Sequence, residues 1–490
     1  MQRLALQILG PILAAITFLA ITNRGIEVPV IEGKTFTIEG IAAVAAMAVW
    51  MAFWWTTEAV PIVYTALLPL VLFPLLGILP MKVVAPQYTK EIVFLFIGGF
   101  LLAFAMERWN LHRRTALRIM LATGTSPFRL VLGMMIAAYF LSMWISNTAT
   151  AAVLLPTALA LLSEVEEEKS GLAAKIQLPM LLGIAYCASI GGMATLTGTA
   201  PNLVMANFSA EKLHEPLSFA NWFVFGAPVS FLLFMMVVGF FWFFFRKGFD
   251  RSNVSKAYIR EAYNLLGKLS KEEKIIVGVF IITVIAWFTL RDINFGVFTL
   301  PGWANFLPGG NYIEESTVAM FAALLLMLVP ASGGRGKILP RADLQRVPLD
   351  IIFLFGGGFS LALAFEESGL MQLIGSSFGL FSGINPLFML VSLALVMTFL
   401  TEFTSNTAST ILILPLAYEL AIQSGLSPVM VMFTITISAS CAFMLPVATP
   451  PNTIVFGSGR ISVRQMASVG FWINLASAAL IGVYAWLFSA

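Results

Sequence analysis

"SMWISNTATA", residues 142–151, decides how this chain folds. Ser146, Asn147 and Thr148 put three hydrogen-bonding side chains in a row inside an otherwise apolar stretch. "TEFTSNTAST", residues 401–410, repeats the triplet as Ser405, Asn406 and Thr407. A polar side chain left unpaired in hydrocarbon costs on the order of several kcal/mol, so neither triplet belongs against lipid.

Lipid is nevertheless what surrounds most of the chain. Of its 490 residues 59% are hydrophobic and 11% charged, and the mean hydropathy is +0.91. Soluble domains carry roughly a quarter charged residues, so a soluble fold is excluded. Long apolar runs recur from end to end, which reads as a polytopic helical membrane protein, and the short alternating segments of a β-barrel do not occur. A net charge of +3 gives no sign of a nucleic-acid partner. The two cysteines, Cys187 and Cys441, sit in apolar segments and read as packing residues. His112 and His214 lie in polar connections, so no histidine-based metal or catalytic cluster is available. The basic start and apolar stretch at the N-terminus resemble a signal sequence, but no small-residue cleavage site ends it, and it reads as the first span.

Spans are expected at about 5–22, 39–57, 60–79, 91–107, 174–210, 218–245, 273–290, 315–331, 349–366, 426–458 and 468–488. Two further stretches, 127–163 and 385–424, carry the triplets near their middles and are long enough for two helices or a hairpin each. Lys and Arg cluster in 108–118, 246–274 and 332–348, whereas 292–314 has neither, so the basic connections are placed in the cytoplasm.

The chain also repeats itself. "FLFIGGF" (94–100) matches "FLFGGGF" (353–359) at an offset of 259, and Ser142/Thr401, Ser146/Ser405 and Pro156/Pro415 share that offset. "GTAPN" (198–202) matches "ATPPN" (448–452) at 250, the acidic run "SEVEEEK" (163–169) accounting for the difference. Five crossings separate Arg108 from its counterpart Glu367. An odd number puts the two on opposite sides of the membrane, so the halves are expected to be inverted, as in alternating-access transporters.

Ser, Asn and Thr are favoured N-caps, and capping alone would explain one triplet. Two triplets at matched positions, each followed by a Gly- and Pro-broken segment, suggest instead a central polar site. Helix N-termini there offer N–H groups and positive dipole ends to an anion, while carbonyls and side-chain oxygens suit a hard cation such as sodium.

The doubled "SNT", "TEFTSNTAS" in full, "VATPPN" and "IVFGSGR" resemble the divalent anion–sodium symporters, the INDY-type dicarboxylate and citrate transporters, over nearly the whole chain. That resemblance implies an all-α integral membrane fold of about 11 transmembrane helices plus two re-entrant hairpins in an inverted two-fold repeat. It implies a homodimer in the inner (plasma) membrane, with scaffold parts at 1–126 and 246–384 and elevator-like transport parts at 127–245 and 385–490. One sodium site would use Ser142, Ser146, Asn147 and the Gly198 carbonyl; the other would use Thr401, Ser405, Asn406 and the Ala448 carbonyl. Substrate carboxylates would meet Asn147, Thr148, Asn406 and Thr407, with Thr199, Thr449 and Pro450 closing the site. In one departure, Ala200 stands where the second half has Pro450.

The function expected is sodium-coupled uptake of C4-dicarboxylates, with an exchanger or a citrate or sulfate transporter as alternatives. An intramembrane enzyme lacks a base near Ser146 or Ser405, and a channel does not call for a discontinuous repeat. Glu402 reads as a water-facing flank of its hairpin. Glu58, Glu107 and Glu366 read as interfacial residues.

Overall fold

A computed structural model describes residues 2–23, 36–124, 126–168, 170–213, 217–246, 257–294, 299–378 and 383–489. His214 lies outside these residues, as do Lys247, Arg251 and Lys256 of the basic connection. The described chain is almost wholly helical; the one sheet in it is a two-residue ribbon, β1 (Ile293–Asn294) against β2 (Thr299–Leu300).

The chain opens with α1 (Gln2–Thr22) and α2 (Ile38–Thr57), followed by α3 (Ile62–Ala66), α4 (Leu68–Leu75) and α5 (Met81–Val84). The single span expected over 60–79 is thus split at Leu67. The cause is Pro69, which has no N–H for the Thr65 carbonyl, and Pro74 repeats the defect one turn later. Then follow α6 (Glu91–Arg108), α7 (Leu111–Thr123), α8 (Pro127–Ser142), α9 (Asn147–Glu168), α10 (Ser170–Met193), α11 (Ala200–Lys212) and α12 (Phe219–Phe245). A middle section holds α13 (Ala257–Leu265), α14 (Lys271–Phe288) and α15 (Glu315–Leu328).

The order of α6 to α12 then recurs: α16 (Leu349–Ser368), α17 (Leu370–Phe378), α18 (Pro386–Leu400), α19 (Asn406–Ser424), α20 (Pro428–Ala439), α21 (Pro450–Phe456) and α22 (Val463–Leu487). Leu111 and Leu370, Pro127 and Pro386, and Asn147 and Asn406 each begin a helix 259 residues apart. The repeat seen in short motifs is therefore a repeat of seven helices. Eight helices among the described residues are long and apolar enough to cross a bilayer alone. The remaining spans are assembled from shorter apolar helices, among them the kinked 62–75 and the broken pair α20–α21.

The repeated glycine motifs let helices approach closely. A Cβ on Gly98 would stand 2.5 Å from that of Ala319 in α15, and one on its counterpart Gly357 would stand 2.5 Å from the Ala66 carbonyl in α3. No side chain fits at either position.

The chain forms two compact units: Met1–Val93 with Pro348–Ser440 and Ser477–Ala490, and Phe94–Val347 with Cys441–Ala476. These divide the chain differently from the scaffold and transport parts given above. Compactness and joint motion are separate properties.

In the second unit the basic connections are tied down by charge. Arg114 is buried, with Nε 2.6 Å from Glu273 Oε1, and it donates to the Gly267 and Leu266 carbonyls at 2.9 Å each. Glu273 is also the third residue of the Ser270 capping box that starts α14, so one carboxylate anchors both α7 and α14. Arg346 bridges Asp343 at 3.3 Å and Glu107 at 2.6 Å, and Arg108 meets Asp343 at 3.3 Å. Glu107 is thus an ion-pairing helix end. His112 lies in its connection but is buried, its Nδ1 3.2 Å from the Met106 carbonyl, and burial lowers its pKa below the usual imidazole value. Cys187 and Cys441 are buried free thiols.

Candidate functional site

Both triplets stand where a helix begins. α8 ends at Ser142 and α9 starts at Asn147; α18 ends at Leu400 and α19 starts at Asn406. α10 packs against both α8 and α9, and α20 against both α18 and α19, so each stretch is a helical hairpin with its triplet at the tip.

Each tip contains the same internal hydrogen bond. Ser142 Oγ lies 2.6 Å from Asn147 Oδ1, and Thr401 Oγ1 lies 2.6 Å from Asn406 Oδ1. Ser142 and Thr401 are fully buried, whereas both asparagines are partly accessible. With Oδ1 turned to the hydroxyl, each Nδ2 is left without a hydrogen-bond partner among the described residues. Thr401 Oγ1 also stands 2.9 Å from the Ala439 carbonyl. One hydroxyl hydrogen faces two acceptors there, so the cluster is rich in oxygen and poor in protons.

The tips differ in their serines. Ser146 Oγ accepts from the Ala149 N–H at 3.1 Å and caps α9. Ser405 is the N-cap of α19 but makes no side-chain capping bond. Thr404 and Ser409 bond to each other across that turn instead. Thr148 is exposed and Thr407 is buried. Glu402, expected to face water, is buried at 1% exposure in the turn between α18 and α19, whereas its neighbour Phe403 is 71% exposed.

The helix breaks supply the remaining residues. α10 stops at Met193 and α11 starts at Ala200; α20 stops at Ala439 and α21 starts at Pro450. Thr199 and Thr449 are the N-caps, extended at φ −147° and −139°. Pro201 and Pro451 follow at the second helical position, where a missing N–H costs nothing. Thr449 Oγ1 accepts from the Asn452 N–H at 3.4 Å, whereas Thr199 makes no capping bond. The substitution of Ala200 for Pro450 leaves the first break in the same extended form as the second.

Gly192 shows how the first break meets the first tip. A Cβ there would come 2.6 Å from Asn147 Oδ1 and 3.0 Å from the Gly198 carbonyl, so both oxygens border the space a side chain would fill. Ser142, Asn147 and Gly198 are therefore brought together in one unit. Thr401, Ser405 and Asn406 are gathered in the other unit with Ala439. Ala448, Thr449 and Pro450 belong to the unit of the first tip.

Two buried asparagines in the quoted motifs received no role from the sequence. Asn202 Nδ2 donates to the Gly192 and Thr195 carbonyls at 3.0 and 2.8 Å; Asn452 Nδ2 donates to the Ala442 and Leu445 carbonyls at 3.1 and 3.0 Å. The signal was present as the shared "PN" of "GTAPN" and "ATPPN". What the motif alone could not give was the partner, since the accepting carbonyls lie seven and ten residues upstream. No cluster of three His, Cys, Asp or Glu able to hold a metal occurs among the described residues.

Paired helical hairpins and paired broken helices define a membrane transporter fold, and the chain belongs to the family described as the sodium:sulfate symporter transmembrane region, which matches residues 18–489. It is a multi-pass transport protein of the plasma (inner) membrane and not an enzyme. It is 39% identical over 482 residues to the sodium-dependent dicarboxylate transporter SdcS of Staphylococcus saprophyticus, covering 97% of this chain and 89% of the relative. A Staphylococcus aureus protein of the same name is 37% identical over 486 residues, with the same coverage of both chains. Among solved structures, MtrF of Neisseria gonorrhoeae, described with a class of antimetabolite efflux pumps, aligns with TM-score 0.60 at 13% identity, over 99% of this chain and 94% of its own. The YdaH transporter of Alcanivorax borkumensis aligns with TM-score 0.58 at 13% identity, over 82% and 87%. At such identity these two speak to the fold alone.

Proposed function

We propose that this protein is a sodium-coupled symporter that takes up C4-dicarboxylates such as succinate by an elevator-type alternating-access mechanism. The observation that carries this reading is the duplicated tip, Ser142 with Asn147 and Thr401 with Asn406, each at a helix start. The names of the Staphylococcus relatives support sodium and dicarboxylate as the cargo. Sulfate is the second reading, favoured by the family description.

In this proposal Ser142, Ser146, Asn147 and the Gly198 carbonyl hold one sodium ion. By the repeat, Thr401, Ser405, Asn406 and the Ala448 carbonyl hold another. The Nδ2 groups of Asn147 and Asn406 are free to donate to carboxylate oxygens, as are the hydroxyls of Thr148 and Thr407. First-turn N–H groups of α9 and α19 have no intrahelical partner and add positive dipole ends. Thr199, Thr449 and Pro450 close the site. The moving parts are 127–245 and 385–490, carried on a dimeric scaffold of 1–126 and 246–384.

Uptake of labelled succinate into proteoliposomes, driven by an inward sodium gradient, tests the reading. Succinate accumulation that ignores the gradient but follows preloaded succinate would make the protein an exchanger. Inversion of the halves is tested separately. Single cysteines near Arg108 should label only from the cytoplasmic side and those near Glu367 only from outside; same-sided labelling removes the inversion.

The two serines separate ion binding from capping. Ser405→Ala removes an oxygen but no cap, so it should raise the half-saturating sodium concentration several-fold with little loss of stability. Ser146→Ala removes the cap as well, worth about 1 kcal/mol, and should also lower the melting temperature of the detergent-solubilised protein. Parental sodium dependence in both variants would leave these hydroxyls with no ion role.

A further inference from the structure

Asn202 and Asn452 stand at the third helical position of α11 and α21, and both are fully buried. Each sends its amide back to carbonyls upstream of its helix: Gly192 in the last turn of α10 and Thr195 in the first break, and Ala442 and Leu445 both in the second break, beyond the end of α20 at Ala439. The offset of 250 relates all three members of each set: 202 to 452, 192 to 442, and 195 to 445. One of the two accepting carbonyls has a second donor. Thr195 O also accepts from the Gly198 N–H, and Leu445 O from the Ala448 N–H, each at 3.2 Å. Each asparagine therefore shares an acceptor with the residue whose own carbonyl faces the proposed ion.

We infer that Asn202 and Asn452 are paired positioning residues, each stapling one interrupted helix so that the carbonyl of residue 198 or 448 holds the geometry a sodium ion needs. This rests on the ion roles proposed above for Gly198 and Ala448. The staple needs two donors on one nitrogen at the end of a short side chain. Asn alone offers that: Asp has no donor when ionised, Ser and Thr have one, and Gln is a carbon longer. Oδ1 of both asparagines is buried without a partner among the described residues, an uncompensated acceptor that an apolar residue would avoid. The amide is thus present for its donors.

The two breaks carry different further ties. The second break has two further side-chain ties, the Thr449 cap and a bond from Thr453 Oγ1 to the Pro446 carbonyl at 2.7 Å. In the first break Thr199 does not cap, and the counterpart of Thr453 is Leu203, which cannot bond. The first break is tied instead by Thr195 Oγ1 to the Met143 carbonyl and by Trp222 Nε1 to the Met193 carbonyl at 3.0 Å.

The test uses the full chain in proteoliposomes. Asn202→Asp and Asn452→Asp keep the size and remove the donors; Asn202→Ala and Asn452→Ala serve where a buried carboxylate prevents folding. Amide hydrogen exchange over 191–202 and 441–452 reads the staple without reference to transport, and should accelerate only in the segment whose asparagine was changed. The half-saturating sodium concentration for succinate uptake should rise about tenfold or more for variants of either asparagine, as for other groups that orient an ion's ligands. Uptake at saturating sodium should fall less than uptake at low sodium. Unchanged exchange in both segments overturns the staple. Faster exchange with parental sodium dependence overturns the positioning role and leaves a purely structural bond. A parent protein indifferent to sodium overturns the functional reading itself, before any variant is compared, and the ion-positioning role with it.

Discussion

Asn147→Ala and Asn406→Ala are each expected to cut sodium-driven succinate uptake by about 100-fold or more. Each asparagine is asked to serve two ligands at once, with Oδ1 beside a buried hydroxyl and Nδ2 unpartnered. Under the proposed roles, removing it deletes an ion ligand and a charge-assisted donor together, and hydrogen bonds to charged groups contribute about 1.5–3 kcal/mol each. It also leaves Ser142 or Thr401 buried with its amide partner gone. An aspartate at the same place separates the two functions. Asn147→Asp keeps an oxygen for the cation but sets a negative charge against the substrate, so sodium-dependent thermal stabilisation should persist while succinate binding is lost. Initial-rate uptake and sodium-titrated melting of the same preparations give both readouts. Parental rates in both alanine variants would remove the hairpin tips from the site.

Much of this arrangement was legible in the sequence, because breaks in a membrane helix cannot be hidden. Apolar runs fix the spans by length, and Pro and Gly fix where they stop, so the two hairpins and both interrupted helices fell where the residues placed them. The short connecting helices α7, α13 and α17 were not foreseen. They are amphipathic and lack the long apolar run on which span reading depends. The kink at Leu67 was missed for a different reason: hydropathy averages over Pro69 and Pro74 without registering the hydrogen bonds they remove. Within the site, residue types at matched offsets singled out both triplets. Partnership across long sequence gaps, as between Asn202 and Gly192, requires the folded backbone. The burial of Glu402 escaped the sequence as well, since a lone carboxylate among apolar residues reads as facing water until the turn around it is seen.

The charge of the substrate gives the second large effect. In the proposed function the donor pairs Asn147 with Thr148 and Asn406 with Thr407 would each meet one carboxylate of a dianion. Neither triplet has a Lys or Arg near it in sequence to balance a third charge. Bound sodium ions and helix ends then carry the whole compensation, which favours a dianion over a trianion. The second pKa of succinate lies below neutrality, so lowering the external pH through it converts dianion to monoanion, and the dianion falls by about tenfold for each further pH unit. Succinate uptake should follow that decline. Citrate should move the opposite way over the same range, because acid converts its trianion to the dianion that fits. The sodium ligands proposed here are neutral oxygens that do not titrate in this window, so both trends report on the substrate. Labelled succinate and citrate, measured in one proteoliposome batch at fixed sodium from pH 7.5 downward (roughly two units spans the change), give the comparison directly. Citrate preferred at alkaline pH, or sulfate preferred over succinate at any pH, would replace the dicarboxylate reading with a site built for a different anion.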